Sequence, residues 1–286
     1  MDTPDQVEAV AAVLRRAFDV VEESGEYANR GNSRMVRRYI EVRLRVEDPE
    51  AALRPWTVPH PGYAPVDITP AELLPENLAA VVAEGWAEPF ATPSEIRDWF
   101  FRASVAVVPF TFDALGWPLN PTGRTGRWGR NLGKWGENAA ADPIVVAGTG
   151  RGRRVLLIRR ADIGVWALPG GMVDPGESAP QALTRELREE TGVDLSELTP
   201  QVIWSGYVED HRNSDHSWVC STAALFQLPG VVPATAGDDA TDTAWLPLTD
   251  LDSLIVELAR VGGRLYEAHE PMLAAALRAL DGGVRR

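Results

Sequence analysis

The sequence predicts an α/β/α sandwich with a mixed sheet across residues 142–286, and two observations support it. Short apolar runs typical of strands occur at 144–147, 155–158, 165–168, 201–208, 217–228 and 244–246. Helical spacing of apolar residues marks 178–191, 251–260 and 266–280. Strands of this kind combined with these helices favour a mixed sheet with helices packed on both faces.

Two segments precede this predicted domain. Residues 5–23 place apolar side chains at helical spacing, and the Arg-rich stretch 33–46 is interpreted as a second helix, so residues 1–55 are predicted to be a helical N-terminal extension. The charged faces of these predicted helices are expected to be exposed to solvent or to form a contact between subunits. A homodimer is therefore one expected assembly. Residues 56–141 are predicted to be a smaller α+β segment with helices near 79–84 and 95–102, a strand at 105–112 and a Gly/Arg-rich arm from Asn120.

Composition excludes several classes of function. With 286 residues and a net charge of -13, the chain has no basic stripe of the kind that nucleic-acid binding uses. Its single cysteine, Cys220, excludes a disulfide framework and a zinc ribbon, and the apolar run around it predicts a buried thiol. No secretion signal or membrane span is visible, so we expect a cytoplasmic protein that binds a small molecule and has no nucleic-acid or membrane partner.

The run from Gly171 to Val193 places a glycine-containing loop before a helix rich in carboxylates. Spacings of three and four residues put three of these carboxylates on one side of the predicted helix: Glu186, Glu189 and Glu190. Hard oxygen ligands of this kind suit Mg²⁺, with Mn²⁺ as an alternative. A solvated acidic face is the competing interpretation, because like-charge pairs at this spacing cost only about 0.2 to 0.5 kcal/mol each.

The full pattern is more specific than its glutamates alone. Fixed positions are filled by Gly171, Glu177, Arg185-Glu186-Leu187, Glu189-Glu190 and Gly192-Val193. This pattern resembles the Nudix box, and the resemblance implies a Nudix-type α/β/α fold and a metal-dependent diphosphate hydrolase. The metal ligands that it implies are Gly171 (through its carbonyl), Glu177, Glu186, Glu189 and Glu190. It also implies that Glu189 is either a ligand or the base that activates water, and that Arg185 pairs with Glu177 to hold the loop.

A second motif suggests a substrate. Asn120-Pro-Thr-Gly-Arg-Thr-Gly126 resembles a signature of the mitochondrial-type ADP-ribose pyrophosphatases, a Nudix branch that also supplies the ligand-binding domain of an ADP-ribose-gated cation channel; the similarity continues through 206–215 and 237–240. The substrate-binding residues considered on this basis are Arg124, Asn138, Asp210, Arg212, Asp239 and His269. Simpler interpretations are a surface turn for Arg124, a loop ion pair for Asp210 and Arg212, and a capping role for His269.

The predicted function is metal-dependent hydrolysis of ADP-ribose to AMP and ribose 5-phosphate. One alternative is a sensor that binds ADP-ribose without cleaving it, although the intact carboxylates of the box favour an enzyme. Another keeps the chemistry and changes the substrate to NADH, a dinucleoside polyphosphate or a damaged nucleoside triphosphate. The sequence departs from the pattern of the ADP-ribose pyrophosphatase branch at Asn131, Glu137, Ala139 and His211. These departures affect the predicted substrate preference more than the predicted type of reaction.

Overall fold

The computed structural model describes residues 51–237 and 239–282, together with residue 11 and four short strands before residue 51. The four strands are β1 (Asp19–Glu23), β2 (Tyr27–Ala28), β3 (Val36–Arg37) and β4 (Ile40–Arg43). Strand β1 runs antiparallel to β4, and β2 runs antiparallel to β3. The predicted helix over 33–46 is therefore wrong, as is the end of the predicted helix over 5–23. These strands carry several β-branched residues, which favour strands once a partner strand is available.

Residues 51–135 form a small segment with short elements. It contains helices α1 (Leu78–Ala83) and α2 (Trp99–Val105), single 3₁₀ turns, and strands β5 (Val66–Asp67), β6 (Thr111–Phe112), β7 (Pro118–Leu119) and β8 (Arg127–Trp128). The small core of this segment is Leu73, Leu78, Val81 and Ala87. The strand predicted at 105–112 shrinks to β6, because the backbone N–H groups of Val107 and Val108 donate to the Glu137 carboxylate instead of to a neighbouring strand.

A mixed seven-stranded sheet organises the rest of the chain. Its strands are β9 (Gly136–Ala147), β10 (Arg154–Arg160), β11 (Trp166–Ala167), β12 (Gly171–Met172), β13 (Gln201–Tyr207), β14 (Ser217–Leu228) and β15 (Ala240–Pro247). The central order is β11-β10-β9-β14-β13, with β12 paired to β9 and β15 paired to β10. Strands β9 and β14 are parallel, whereas the other pairs are antiparallel. Strand β9 crosses the boundary predicted at 141/142.

Helices cover both faces of this sheet, as predicted. Helix α3 (Ala179–Thr191) packs on one face, where Leu183 and Leu187 lie in a buried cluster with Val145 of β9. Helices α4 (Leu251–Arg260) and α5 (Glu270–Gly282) cover the other face, in the cluster that contains Ile144 and Val146. The alternation along β9 is the period of two that a strand imposes. In the described part of the chain, no helix is long and apolar enough to cross a membrane.

The Gly/Arg-rich arm is packed into the fold instead of extending into solvent. Asn120 is fully buried, where its Nδ2 donates to the Ser214 carbonyl (2.9 Å) and its Oδ1 accepts from the Thr122 backbone (3.0 Å). The Asp215 carboxylate accepts from the Thr125 backbone (2.8 Å) and the Tyr63 hydroxyl (2.7 Å). The arm therefore anchors the loop that follows strand β13.

Candidate active site

Helix α3 starts and stops where the sequence predicts. The Ser178 backbone N–H donates to Gln181 Oε1 (2.9 Å), and Gly192 ends the helix in the left-handed region at φ 68°. Leu183 and Leu187 are fully buried, so the glutamates at neighbouring positions face away from the core. Strand β12 pairs Gly171 with Ala141, which fixes the box loop on the sheet beside this helix.

Arg185 ties the box loop to the helix. Its Nε and Nη2 donate to the two oxygens of Glu177, each at 2.9 Å, and Nη2 also donates to the Met172 carbonyl (2.9 Å). Nη1 donates to Glu186 Oε1 (2.8 Å) and Glu189 Oε2 (3.0 Å). The predicted pairing of Arg185 with Glu177 is confirmed.

Three glutamates line one wall of a cavity of about 680 Å³. Glu190 is only 7% exposed and accepts from the Gly170 backbone N–H (2.8 Å). Burial, and then the carboxylates of Glu186, Asp142 and Asp239, raise the pKa of Glu190 to about 8. Burial also raises the pKa of Glu186 to about 7, although Arg185 opposes the shift. Concentrated carboxylates of this kind favour a bound cation.

Gly171 allows the box loop to approach the helix. A Cβ atom at this position would lie 2.5 Å and 2.8 Å from the two carboxylate oxygens of Glu186. Any larger residue would therefore displace that carboxylate. Asp239 reaches the same cavity, because the Gly237 backbone N–H donates to the Glu190 carbonyl (3.0 Å) and holds the preceding loop against the end of α3.

Two arginine–aspartate pairs also line the cavity. Arg212 donates through Nε to Asp210 Oδ1 (2.9 Å) and through Nη2 to Asp210 Oδ2 (2.8 Å), and both residues line the cavity. Burial opposes the ionisation of Asp210, yet these hydrogen bonds hold its pKa below the usual value. Arg160 makes the corresponding pair with Asp162 and lies 5.1 Å from the centroid of the Tyr266 ring.

A buried polar cluster also lines the cavity. The Leu168 backbone N–H donates to His269 Nδ1 (2.9 Å), while His269 Nε2 lies 3.5 Å from Asp142 Oδ1. The Ser221 hydroxyl donates to the other carboxylate oxygen of Asp142. Burial, followed by the charge of Arg160, lowers the pKa of His269 to about 3. His269 therefore faces the cavity as a neutral imidazole with its hydrogen on Nε2.

Nine of the predicted residues line this cavity together: Gly171, Arg185, Glu186, Glu189, Glu190, Asp210, Arg212, Asp239 and His269. Three others do not. Arg124 donates to the carbonyls of Leu53 (2.7 Å) and Pro55 (2.8 Å) and packs on Trp56, which does not support its predicted contact with substrate. Asn138 is buried and bonds to both backbone groups of Lys134, which gives it a structural role instead. Glu177 lies outside the cavity lining with its carboxylate engaged by Arg185, which does not support its place among the metal ligands.

Comparison with known proteins identifies the family. A model of the NUDIX domain matches residues 138–278. The chain is 35% identical over 248 residues to nudix hydrolase 6 of Caenorhabditis elegans, a match that covers 79% of this chain and 91% of that protein. The chain belongs to the Nudix hydrolase family.

Two further relatives of this Nudix chain are named as an ADP-ribose pyrophosphatase and as a cation channel. It is 32% identical to the mitochondrial ADP-ribose pyrophosphatase of Rattus norvegicus, over 68% of this chain and 66% of that protein. It is 34% identical to a transient receptor potential cation channel subfamily M member-like 2 protein of Nematostella vectensis, over 79% of this chain but only 16% of that protein.

The sequence alone did not predict several residues that line the Nudix cavity and lie outside the box loop and α3. These are Asp142 on β9, Arg160 on β10, Ser221 on β14 and Tyr266 before α5. Arg160 has a weak signal, because it follows the apolar residues 155–158 and shares the period of two with Ile158, which places a charge on the side of the strand that Ile158 occupies. Asp142 at the start of an apolar run is a similar exception. Neither of these two sequence patterns predicts which residues from the rest of the chain lie beside Arg160 or Asp142 in the cavity.

Proposed function

We propose that this Nudix hydrolase cleaves the diphosphate of ADP-ribose to AMP and ribose 5-phosphate with Mg²⁺. The observation that carries the proposal is one cavity lined both by Glu186, Glu189 and Glu190 and by the Arg212–Asp210 pair. Its volume of about 680 Å³ is in the usual range for small-ligand sites. The name of the rat relative supports ADP-ribose as the substrate.

The donor set suits a magnesium ion. Carboxylate oxygens are hard ligands, and the raised pKa values of Glu186 and Glu190 arise from burial that a divalent cation would offset. Among the described residues, no three acidic, histidine or cysteine side chains already enclose a metal-sized space. Arg185 Nη1 lies between Glu186 and Glu189, so these two carboxylates would exchange that contact for the ion.

When bound, Mg²⁺ would offset the charge of the diphosphate and lower the pKa of an attacking water. The protein's own residues have distinct tasks around it. Glu190 is held in place by the Gly170 N–H, while Arg185 keeps the loop and helix together. Glu189 is the most exposed of the three glutamates, with 38% of its side chain accessible, and supplies a carboxylate at the cavity mouth. Asp210 and Arg212 orient the nucleoside or ribose portion.

A sensor that binds ADP-ribose without cleaving it is the second candidate. Similarity to the channel relative motivates it. The cavity argues for turnover, because a binding-only site has no need for three carboxylates grouped at one wall.

Steady-state kcat/KM for several Nudix-type substrates tests the proposal. ADP-ribose, NADH, diadenosine polyphosphates and nucleoside triphosphates would each be measured with Mg²⁺ and with Mn²⁺. We expect ADP-ribose to be preferred by more than about tenfold, equivalent to about 1.4 kcal/mol of transition-state binding. A smaller preference contradicts ADP-ribose as the substrate, and tight binding of ADP-ribose with no product would favour the sensor.

A further inference from the structure

Arg160 differs from the other arginines of the cavity in what holds it. Arg185 is surrounded by Glu177, Glu186 and Glu189. Arg212 is paired with Asp210, whose side chain is only 4% exposed. The partner of Arg160 is Asp162, which is 54% exposed and belongs to the turn between β10 and β11. Arg160 is thus the cavity arginine whose counter-charge is screened most by solvent.

The hydrogen bonds of Arg160 leave one edge of its guanidinium available. Nε donates to Asp162 Oδ1 (3.0 Å) and Nη2 donates to Asp162 Oδ2 (2.7 Å). Nη1 makes no hydrogen bond to any residue that the structure describes. Because a guanidinium has five N–H donors in one plane, pairing through the Nε and Nη2 edge leaves the Nη1 and Nη2 fork open for a second anion.

Three contacts fix where this fork lies. The guanidinium carbon of Arg160 is 5.1 Å from the centroid of the Tyr266 ring, a cation–π contact that limits its movement. The Arg160 carbonyl accepts from the Gly164 N–H (2.9 Å), which closes the turn. The Ala161 N–H donates to the Asp239 carbonyl (2.8 Å), which ties the turn to the loop that brings Asp239 to the carboxylate wall.

We propose that Arg160 binds the phosphate oxygens of the substrate diphosphate, with Asp162 as the residue that positions its guanidinium. This inference rests on the proposed function in one respect, because it requires a substrate that contains a diphosphate. Arg160 and the three glutamates line the same cavity, so a diphosphate bound there has this fork available in addition to the carboxylates. The charge of Arg160 then compensates for phosphate charge that the glutamates would otherwise repel.

The same strand supplies a matched control. Arg159 directly precedes Arg160 on β10, and only Arg160 lines the cavity. Arg159 is exposed and donates through Nε to the Gly164 carbonyl (3.1 Å). Arg159→Gln and Arg160→Gln change the net charge equally at adjacent positions, so long-range electrostatic effects of the two substitutions should be similar.

The first test is the kinetics of ADP-ribose hydrolysis. Arg160→Gln should raise KM by about 10- to 100-fold and leave kcat within about threefold, because a charged hydrogen bond that is equal in ground and transition states affects binding alone. Arg160→Lys should recover only part of the loss, since Lys keeps the charge but lacks the fork. Arg159→Gln should leave KM within about twofold. Equal KM values for Arg159→Gln and Arg160→Gln would overturn the proposal.

A second test does not need turnover. Binding of methylenediphosphonate with Mg²⁺ would be measured by calorimetry on the unaltered protein, Arg159→Gln and Arg160→Gln. We expect at least about tenfold weaker binding for Arg160→Gln alone. Equal binding by all three proteins, or no binding by the unaltered protein, would contradict the role of Arg160. If ADP-ribose itself is not hydrolysed, the proposed function fails, and this calorimetric comparison still decides the role of the arginine.

Discussion

Gly171 is the residue at which backbone shape and catalytic geometry are most closely linked. An added Cβ would meet the end of the Glu186 side chain at 2.5 Å, and the flexible carboxylate can move away. We therefore predict that Gly171→Ala lowers kcat by at least about tenfold while changing the free energy of unfolding by less than about 1 kcal/mol.

Gly152→Ala is the matched control, because an added Cβ there meets no atom within 4 Å. Activity assays and urea unfolding of both variants check the prediction. Normal turnover by Gly171→Ala would show that the position of the Glu186 carboxylate is unimportant.

His269 is predicted to stay neutral at every pH at which the protein is folded and assayed. Burial, and then Arg160, hold its pKa near 3, well below the ordinary 6.5, so the neutral form persists as pH falls through 6 and 5. Nitrogen-15 NMR of the imidazole should report one neutral tautomer with hydrogen on Nε2, because the Leu168 N–H donates to Nδ1. Protonation with a midpoint above pH 5.5 would contradict this arrangement.

Arg124 provides a prediction in the opposite sense. The resemblance to ADP-ribose pyrophosphatases placed it at the substrate, whereas the structure places it against Trp56 and the carbonyls of Leu53 and Pro55. Arg124→Gln should therefore destabilise the fold by about 1 to 3 kcal/mol and leave KM for ADP-ribose within about twofold. Urea unfolding and steady-state kinetics separate the two effects, and a tenfold rise in KM with unchanged stability would restore the original interpretation.

At the scale of elements, the Asn120–Gly126 arm acts on the site through the loop after β13. Asn120 Nδ2 donates to the Ser214 carbonyl, and the Asp215 carboxylate accepts from the Thr125 backbone N–H of the arm. Ser214 and Asp215 follow Arg212 closely in the same loop. Asn120→Ala would leave buried backbone groups without hydrogen bonds, so it should cost about 1 to 3 kcal/mol of stability and also raise KM through the displaced loop.

The exposed Asn77 offers a matched comparison, since its Nδ2 donates to the Ala71 carbonyl outside the arm. Asn77→Ala should leave KM unchanged. If Asn120→Ala lowered stability without any effect on KM, the arm would support the fold but not the substrate loop.

For the whole molecule, the sequence was most informative where structure is local. Helix α3 follows from its cap, its leucines and Gly192, and β14 matches the predicted 217–228 because an apolar run of that length determines its own conformation. Strands β1 to β4 were not predicted, because the pairing of β1 with β4 depends on a partner strand and not on helical spacing, while most of residues 5–18 of the predicted first helix lie outside the described residues.

The site also contains one part that is local in the sequence and one part that depends on the tertiary fold. The carboxylate wall comes from one helix and could be predicted from spacing. Elsewhere in the lining, the tertiary fold brings Arg160 of β10 together with Tyr266, more than a hundred residues later in the chain. No local pattern encodes that proximity.

We propose that hydrolysis of the ADP-ribose diphosphate depends on the glutamates grouped on α3. The most direct measurement is the formation of AMP and ribose 5-phosphate with Mg²⁺ by the unaltered protein, by Glu190→Gln and by Glu197→Gln, whose glutamate lies on the surface away from the cavity. We predict that Glu190→Gln folds normally and loses at least about 100-fold in kcat, about 2.7 kcal/mol, while Glu197→Gln is unaffected. Near-normal turnover by a folded Glu190→Gln protein would contradict the account.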